Sequence, residues 1–236
     1  MTLADTANLH TFVEAVRFIG DNPHLLLTKA FELLELAAAA LGVALAIALP
    51  VGVVLGHLHR GSAVAEGASI VGRALPSLVL IAAFLTILGI GFVNNMVALA
   101  VLASGPILTN SFDGIDRVDP DAVDAARGMG MTGSQILWDV ELPLALPQLF
   151  AGIRVAAVTV VATAPIAAIA GGGGLGDIIV NQASYRLAGV VGASLCVMAL
   201  SAGVWVALTA LQRSLTPRGI REARVPQTGT RRRETW

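Results

Sequence analysis

Lysine is almost missing from this sequence. It occurs once, at Lys29 in Leu-Thr-Lys-Ala, so no Gly-x-x-x-x-Gly-Lys-Ser/Thr loop can be assembled and the chain cannot be an ATPase of that type. Cysteine is as scarce. Cys196 stands alone inside an apolar run, which excludes an intrachain disulfide and a cysteine-built metal cluster and leaves a small buried or lipid-facing side chain. Histidine, cysteine and carboxylate residues do not cluster within the apolar runs, so no catalytic residue and no metal ligand set is expected. His57 and His59, two apart in His57-Leu-His59-Arg60-Gly-Ser, would point to different sides of a helix with no third ligand near, and read as a solvated turn.

Charge is thin as well. Only 13% of residues are charged against 56% hydrophobic, with a mean hydropathy of +0.78, which is too apolar for an ordinary soluble domain and places the chain in a bilayer. Seven of the fifteen Lys and Arg residues lie from Arg213 onward. They are gathered at one end rather than spread over a face, so nucleic acid is not an expected partner. The opening MTLADTANLHTFVEA has neither a basic region nor an early apolar core, and insertion is expected to rely on the chain's own spans rather than on a cleaved leader.

The apolar runs set the architecture. Residues 1–30 mix Asp5, Glu14 and Asp21 with Arg17 and Lys29 and are interrupted at Asn22-Pro23; they read as a short peripheral segment on the external side, ahead of a transmembrane domain over residues 31–213. Leu36 to Leu55 carries no charge and is about long enough for one crossing at ~1.5 Å per residue. From Ala74 to Phe112 there is no charged residue at all, roughly twice what one crossing needs. The chain must turn within it, and Gly89-Ile-Gly91-Phe-Val-Asn94-Asn95 is the breaker cluster available, giving a second span over roughly 64–88 and a third over roughly 95–112. Pro147 suits the first turn of a fourth span that runs to Gly176, and Gly171 to Gly174 must end it because consecutive glycines cannot hold a helix. A phosphate-binding role for these glycines is rejected because no Lys-Ser/Thr follows. Leu187 to Gln212 makes a fifth span, followed by the arginine-rich residues 214–236, whose composition predicts disorder.

With the arginines held on the cytoplasmic side, five spans place the amino terminus outside and the carboxyl terminus inside. The loop 113–146 then falls inside and the glycine run outside. That loop carries its own helix signals. Asp119-Pro120-Asp121 offers an N-cap, a proline in the first turn and a carboxylate near the positive helix end. A short helix through Arg127 is expected to stop at Gly128 and Gly130, and a second stretch from Gly133 to Glu141 leads into Leu142-Pro143. In the second span, Pro76 should kink or open the helix, and Arg73 should face protein or water, because a charge at bilayer depth costs about 2.5–3.5 kcal/mol.

Asp124-Ala125-Ala126-Arg127-Gly128-Met129-Gly130, followed by Ile136 and then Leu142-Pro143, resembles the cytoplasmic "EAA" loop of ABC-importer permease subunits. Arg73-Ala-Leu-Pro76-Ser77-Leu and the glycine run resemble further elements of the same family, and the pattern is similar in particular to permeases for glycine betaine, choline, carnitine or proline betaine. The resemblance covers roughly residues 28–213. It implies an all-α integral membrane fold of the type I ABC importer permease kind, with five transmembrane helices and a cytoplasmic coupling helix, in a bacterial plasma (inner) membrane. It further implies that Asp124 to Gly130, Ile136, Leu142 and Pro143 meet the ATPase, and that Arg73, Pro76 and Ser77 lie along the translocation pathway. Expected partners are a second permease subunit, identical or paralogous, two ATPase subunits that carry ATP and Mg, and an extracellular or periplasmic binding protein. The chain itself is expected to bind no cofactor. Ala125 and Ala126 are small enough to let the helix backbone enter a partner groove, and Met129 and Met131 supply adaptable contacts. Asp124 stands where the family usually has Glu, which shortens the reach of any ion pair to the ATPase. Tyr185 is the sole tyrosine and Trp138, Trp205 and Trp236 are scattered, so no aromatic cage for a quaternary ammonium group is legible and substrate selection is assigned to the binding protein. An amino-acid permease such as one for methionine is the alternative within transport. A secondary carrier is disfavoured by the lack of a convincing internal repeat.

Overall fold

A computed structural model describes residues 3–67 and 76–215, and every regular element among them is helical. Arg73 and the arginine-rich residues beyond 215 lie outside the described residues. Helix α1 (Leu3–Asp21) ends where Asn22 turns its side-chain Nδ2 back to donate to Phe18 O at 3.1 Å. Pro23 then occupies the first turn of α2 (Pro23–His57), where its missing N–H costs nothing. The first long helix therefore starts well before Leu36 and carries Lys29, Glu32 and Glu35 with it.

The buried residues of α2 recur every three or four positions, through Leu33, Ala37, Ala40, Ala44, Ala48, Gly52 and Gly56. That spacing keeps them on one face. The face is made of small side chains, and it packs against α4 (Phe92–Asp116). A Cβ at Gly52 would lie 2.7 Å from Leu108 O and Ser111 Cβ, and one at Gly56 would lie 2.8 Å from Phe112 O and Ile115 Cβ. The two glycines thus set how closely the backbones approach, in the small-xxx-small manner by which membrane helices associate.

The expected second span is not one helix. At Pro76 the backbone is extended (φ −61°, ψ 131°), and α3 (Ser77–Leu88) begins only after it. A proline bars helical geometry in the residue before it and has no N–H to continue a ladder, so it starts a helix instead of kinking one. Gly89 and Gly91 follow with positive φ and make the turn into α4. Asn94 and Asn95 belong to α4 and not to that turn.

After α4 the chain forms α5 (Pro120–Gly128) and α6 (Gly133–Ile136), then a π turn over Leu137–Glu141, then α7 (Leu142–Thr163) and a 3₁₀ continuation over Ala164–Ala170. From Gly133 to Ala170 this is one continuous helical rod. Pro143 sits in the first turn of α7, whereas Pro147, expected there, is buried inside the helix. The rod starts earlier than apolarity indicates because Gly133 to Glu141 is helical although polar. Gly171 closes it in the left-handed conformation (φ 73°). Helix α8 (Leu175–Val180) follows, and α9 (Gln182–Leu215) contains a break at Arg186 (φ 58°, ψ 177°), so that its regular part begins at Leu187.

Four of these helical segments, Pro23–His57, Phe92–Asp116, Gly133–Ala170 and Gln182–Leu215, are long and apolar enough to cross a membrane, and Ser77–Leu88 is a shorter apolar helix. Helix α4 packs between α2 and α7, α9 lies on α7, and α1 lies on α9. The core is filled by Leu33, Leu36, Leu99, Ile107, Val160, Leu175 and Ile178.

Candidate functional site

The loop between α4 and α7 folds as a small unit of its own. Asp119 caps α5, its Oδ1 accepting from Asp121 N–H at 3.0 Å, and Pro120 occupies the first turn, as the Asp-Pro-Asp sequence predicts. Thr132 and Gln135 form a capping box at α6, with Gln135 Oε1 accepting from Thr132 N–H at 2.8 Å. Gly130, at φ 85°, makes the reversal between the two helices. It is in the region where a side chain would be strained.

Within this unit the predicted residues divide. Ala126 is 1% exposed and Ile136 3%, and they pack with Val123 into a private core. Ala126 is thus covered within this chain. Its side chain points into its own chain, because a helix of nine residues packed on one side can bury only one stripe. Ala125, one residue earlier, is exposed. Asp124 and Arg127 are exposed too and pair with each other at 3.4 Å. A Cβ at Gly128 would meet nothing within 4 Å, and Met129 is 76% exposed. Asp124, Ala125, Arg127, Gly128 and Met129 thus form one outward surface. Leu142 packs beside Val53, Ile115, Ala145 and Leu149, and Leu142 and Pro143 are both half-buried. Ser77 is half-buried and Pro76 exposed, at the start of α3.

Two histidines make polar contacts at this end of the bundle; His57 departs from the solvated-turn expectation, whereas His59, exposed in the turn after α2, keeps to it. His57 is in the last turn of α2, and its Nδ1 lies 2.6 Å from Glu141 Oε2. His59 Nδ1 lies 2.8 Å from Asp116 Oδ1 at the end of α4. No group of three or more His, Cys, Asp or Glu residues placed to hold a metal occurs among the described residues. Arg154 of α7 donates to Gln212 of α9.

The opposite end of the bundle carries a second polar junction that sequence reasoning missed. Lys29 Nζ lies 2.8 Å from Glu32 Oε2 and 2.7 Å from Asp177 Oδ2, and Glu32 Oε2 also accepts from Gly174 N–H at 2.9 Å. Ala170 O accepts from Gly91 N–H and from Asn95 Nδ2, each at 3.1 Å. The glycine run is therefore held from two sides, by α2 and by the α3–α4 turn. The available signal was that Lys29, Glu32 and Asp177 are isolated charges flanking apolar runs.

A bundle of apolar helices with a short, self-packed helix slung from one end is the architecture of a membrane transport subunit. Its fold is similar to a chain of the MetNI methionine ABC transporter in an inward-facing conformation, with a TM-score of 0.71, 25% identity, and coverage of 83% of this chain and 99% of that one. It is similar also, in fold, to a chain of an amino acid ABC transporter solved with histidines, with a TM-score of 0.67, 20% identity, and coverage of 86% and 98%. The family described as binding-protein-dependent transport system inner membrane component matches residues 48–220, and the chain belongs to that family. Among characterised relatives, the carnitine transport permease protein OpuCB of Listeria monocytogenes is 37% identical over 210 residues, 89% of this chain and 96% of that protein. The choline transport system permease protein OpuBB of Bacillus subtilis is 34% identical over 206 residues, 87% and 95%. The osmoprotectant import permease protein OsmW of Salmonella typhimurium is 33% identical over 219 residues, 89% and 100%.

Proposed function

We propose that this chain is the membrane-spanning permease subunit of an ATP-driven importer for a quaternary ammonium osmoprotectant of the glycine betaine, choline, carnitine or proline betaine class. The substrate assignment is supported by the relatives named for carnitine, choline and osmoprotectant transport, which span nearly the whole chain. The coupling assignment is carried by one observation: α5 hangs from the bundle with Ala126 and Ile136 turned inward and Asp124, Ala125, Gly128 and Met129 left uncovered. Such a surface suits a partner subunit. ATP and Mg belong to that partner, since this chain has one lysine and no nucleotide loop.

In this reading the membrane is crossed five times, with Ser77–Leu88 as part of the second crossing. The loop 113–146 is cytoplasmic, the glycine run is external, the amino terminus is outside and the arginine tail is inside. Two permease subunits, identical or paralogous, enclose the pathway, and two ATPase subunits grip the α5 surfaces. An extracellular or periplasmic binding protein delivers the substrate to the external mouth. Pro76, whose extended backbone opens α3, Ser77 after it and Arg73 before them line the route. Broken helices at membrane depth are the usual place for a transported ligand to meet backbone polar groups.

The test is uptake of radiolabelled glycine betaine by cells expressing the complete transporter, competed with unlabelled choline, carnitine or methionine. Competition by choline or carnitine is expected. Uptake blocked only by methionine would replace the osmoprotectant with an amino acid.

A further inference from the structure

We infer that the His57–Glu141 pair is the joint through which displacement of the coupling loop enters α2, so that the driving motion reaches the bundle through two helices. This rests on the coupling role proposed for α5.

Glu141 closes the π turn at the head of α7, and its side chain is 3% exposed. A carboxylate buried at that depth is costly unless it is paired. Its partner is His57 Nδ1, 84 residues away in the chain, at 2.6 Å. The same ring also reaches the other end of the polar rod: a Cβ on Gly133 would lie 3.7 Å from His57 Nε2. The imidazole at the end of α2 thus lies beside Gly133 as well as the Glu141 carboxylate, at the piece of helix that joins the self-packed loop to the bundle.

Other polar contacts at this end are of a different kind. His59–Asp116 and Arg117–Asp113 are exposed pairs, and such pairs contribute little. The rod packs closely on α4, with Gly152 and Leu149 set against Asn110 and Gly114, and it touches α2 through Leu142, Ala145 and Leu149 beside Val53. The His57–Glu141 pair adds to this apolar contact a buried polar link between the head of α7 and the end of α2. Helix α2 also holds the opposite junction, through Lys29 and Glu32 to Asp177 and Gly174. A push received at His57 is therefore delivered to the helix that grips the glycine run.

The substitution series exploits geometry. Asn places an amide donor where His57 Nδ1 stands, whereas Leu fills the volume without a donor. In the complete transporter, carrying C196A so that E35C is the single cysteine, the labelling rate of this exposed α2 position is measured with and without ATP plus vanadate. A rate change of about tenfold is expected with His57 and with H57N, and its loss with H57L and with E141L, each with the ATPase still co-purifying. A full change in H57L or E141L, or no change with His57 itself, would overturn the joint. Loss of ATPase co-purification from the unsubstituted chain would instead overturn the coupling role of α5.

Discussion

Lys29 and Asp177, 148 residues apart in the chain, meet at 2.7 Å, and the same ammonium lies 2.8 Å from Glu32. The sole lysine thus bridges two carboxylates at the junction of α2 and α8, offsetting one of their two charges. Lys29→Met leaves Glu32 and Asp177 facing each other without a cation. Because both carboxylates stay partly solvated, screening limits the loss to about 1 kcal/mol. A lowered thermal midpoint in detergent checks this, with Asp177→Asn in the Lys29→Met background restoring part of it.

Neighbouring asparagines in α4 should behave oppositely. Asn95 Nδ2 donates to Gly91 O at 2.9 Å and to Ala170 O at 3.1 Å, so Asn95→Leu costs about 1–3 kcal/mol. Asn94 is 1% exposed, with neither side-chain polar atom hydrogen-bonded among the described residues. Asn94→Leu removes that unmet polarity, so its thermal midpoint should equal or exceed that of the unsubstituted chain, while Asn95→Leu melts lower.

The close approach of α2 and α4 leaves no room at Gly52. Gly52→Leu forces the helices apart or the side chain off its preferred rotamers, costing at least about 1–3 kcal/mol. Loss of the monodisperse peak in size-exclusion chromatography is the expected readout. Gly42→Leu, where a Cβ would meet nothing within 4 Å, serves as the control.

Ala125 and Ala126 separate docking from folding. Ala125→Glu adds a charge to an exposed position and should leave the permease folded while abolishing co-purification of the ATPase. Ala126→Glu buries an unpaired carboxylate in the Val123–Ile136 cluster and should raise protease cleavage in the loop even when no ATPase is present.

What could be read from the sequence was whatever is encoded locally. The cap at Asp119, the proline after it and the halt at Gly128 depend on residues within one turn, and the structure has all three. The glycine turn at Gly89–Gly91 and the helix end at Gly171 are of the same kind. Long-range partners were not legible. Nothing near Ala125-Ala126 says which alanine faces inward, because that is decided by Ile136 beyond a turn. Glu141 beside Leu-Pro looks like a solvated charge until α2 brings His57 to it. Uniformly apolar helices also carry no phase, since lipid and core demand the same residues, so the small-residue face of α2 was visible only once α4 lay against it.

The π turn at Leu137–Glu141 has an evolutionary and engineering consequence. It accommodates one residue more than an α-helical turn would in a rod that otherwise runs from Gly133 to Ala170. Deleting a single residue there would restore regular winding and leave the two flanking stretches nearly in phase, because five π residues turn about as far as four α residues. Ala145, Leu149 and Gly152 would then keep their seats even though the rod had lost a residue. That five-residue stretch is therefore where the rod tolerates a change of one residue in length, whereas the same deletion in the α-helical part beyond it would rotate everything on one side by about 100° relative to the other.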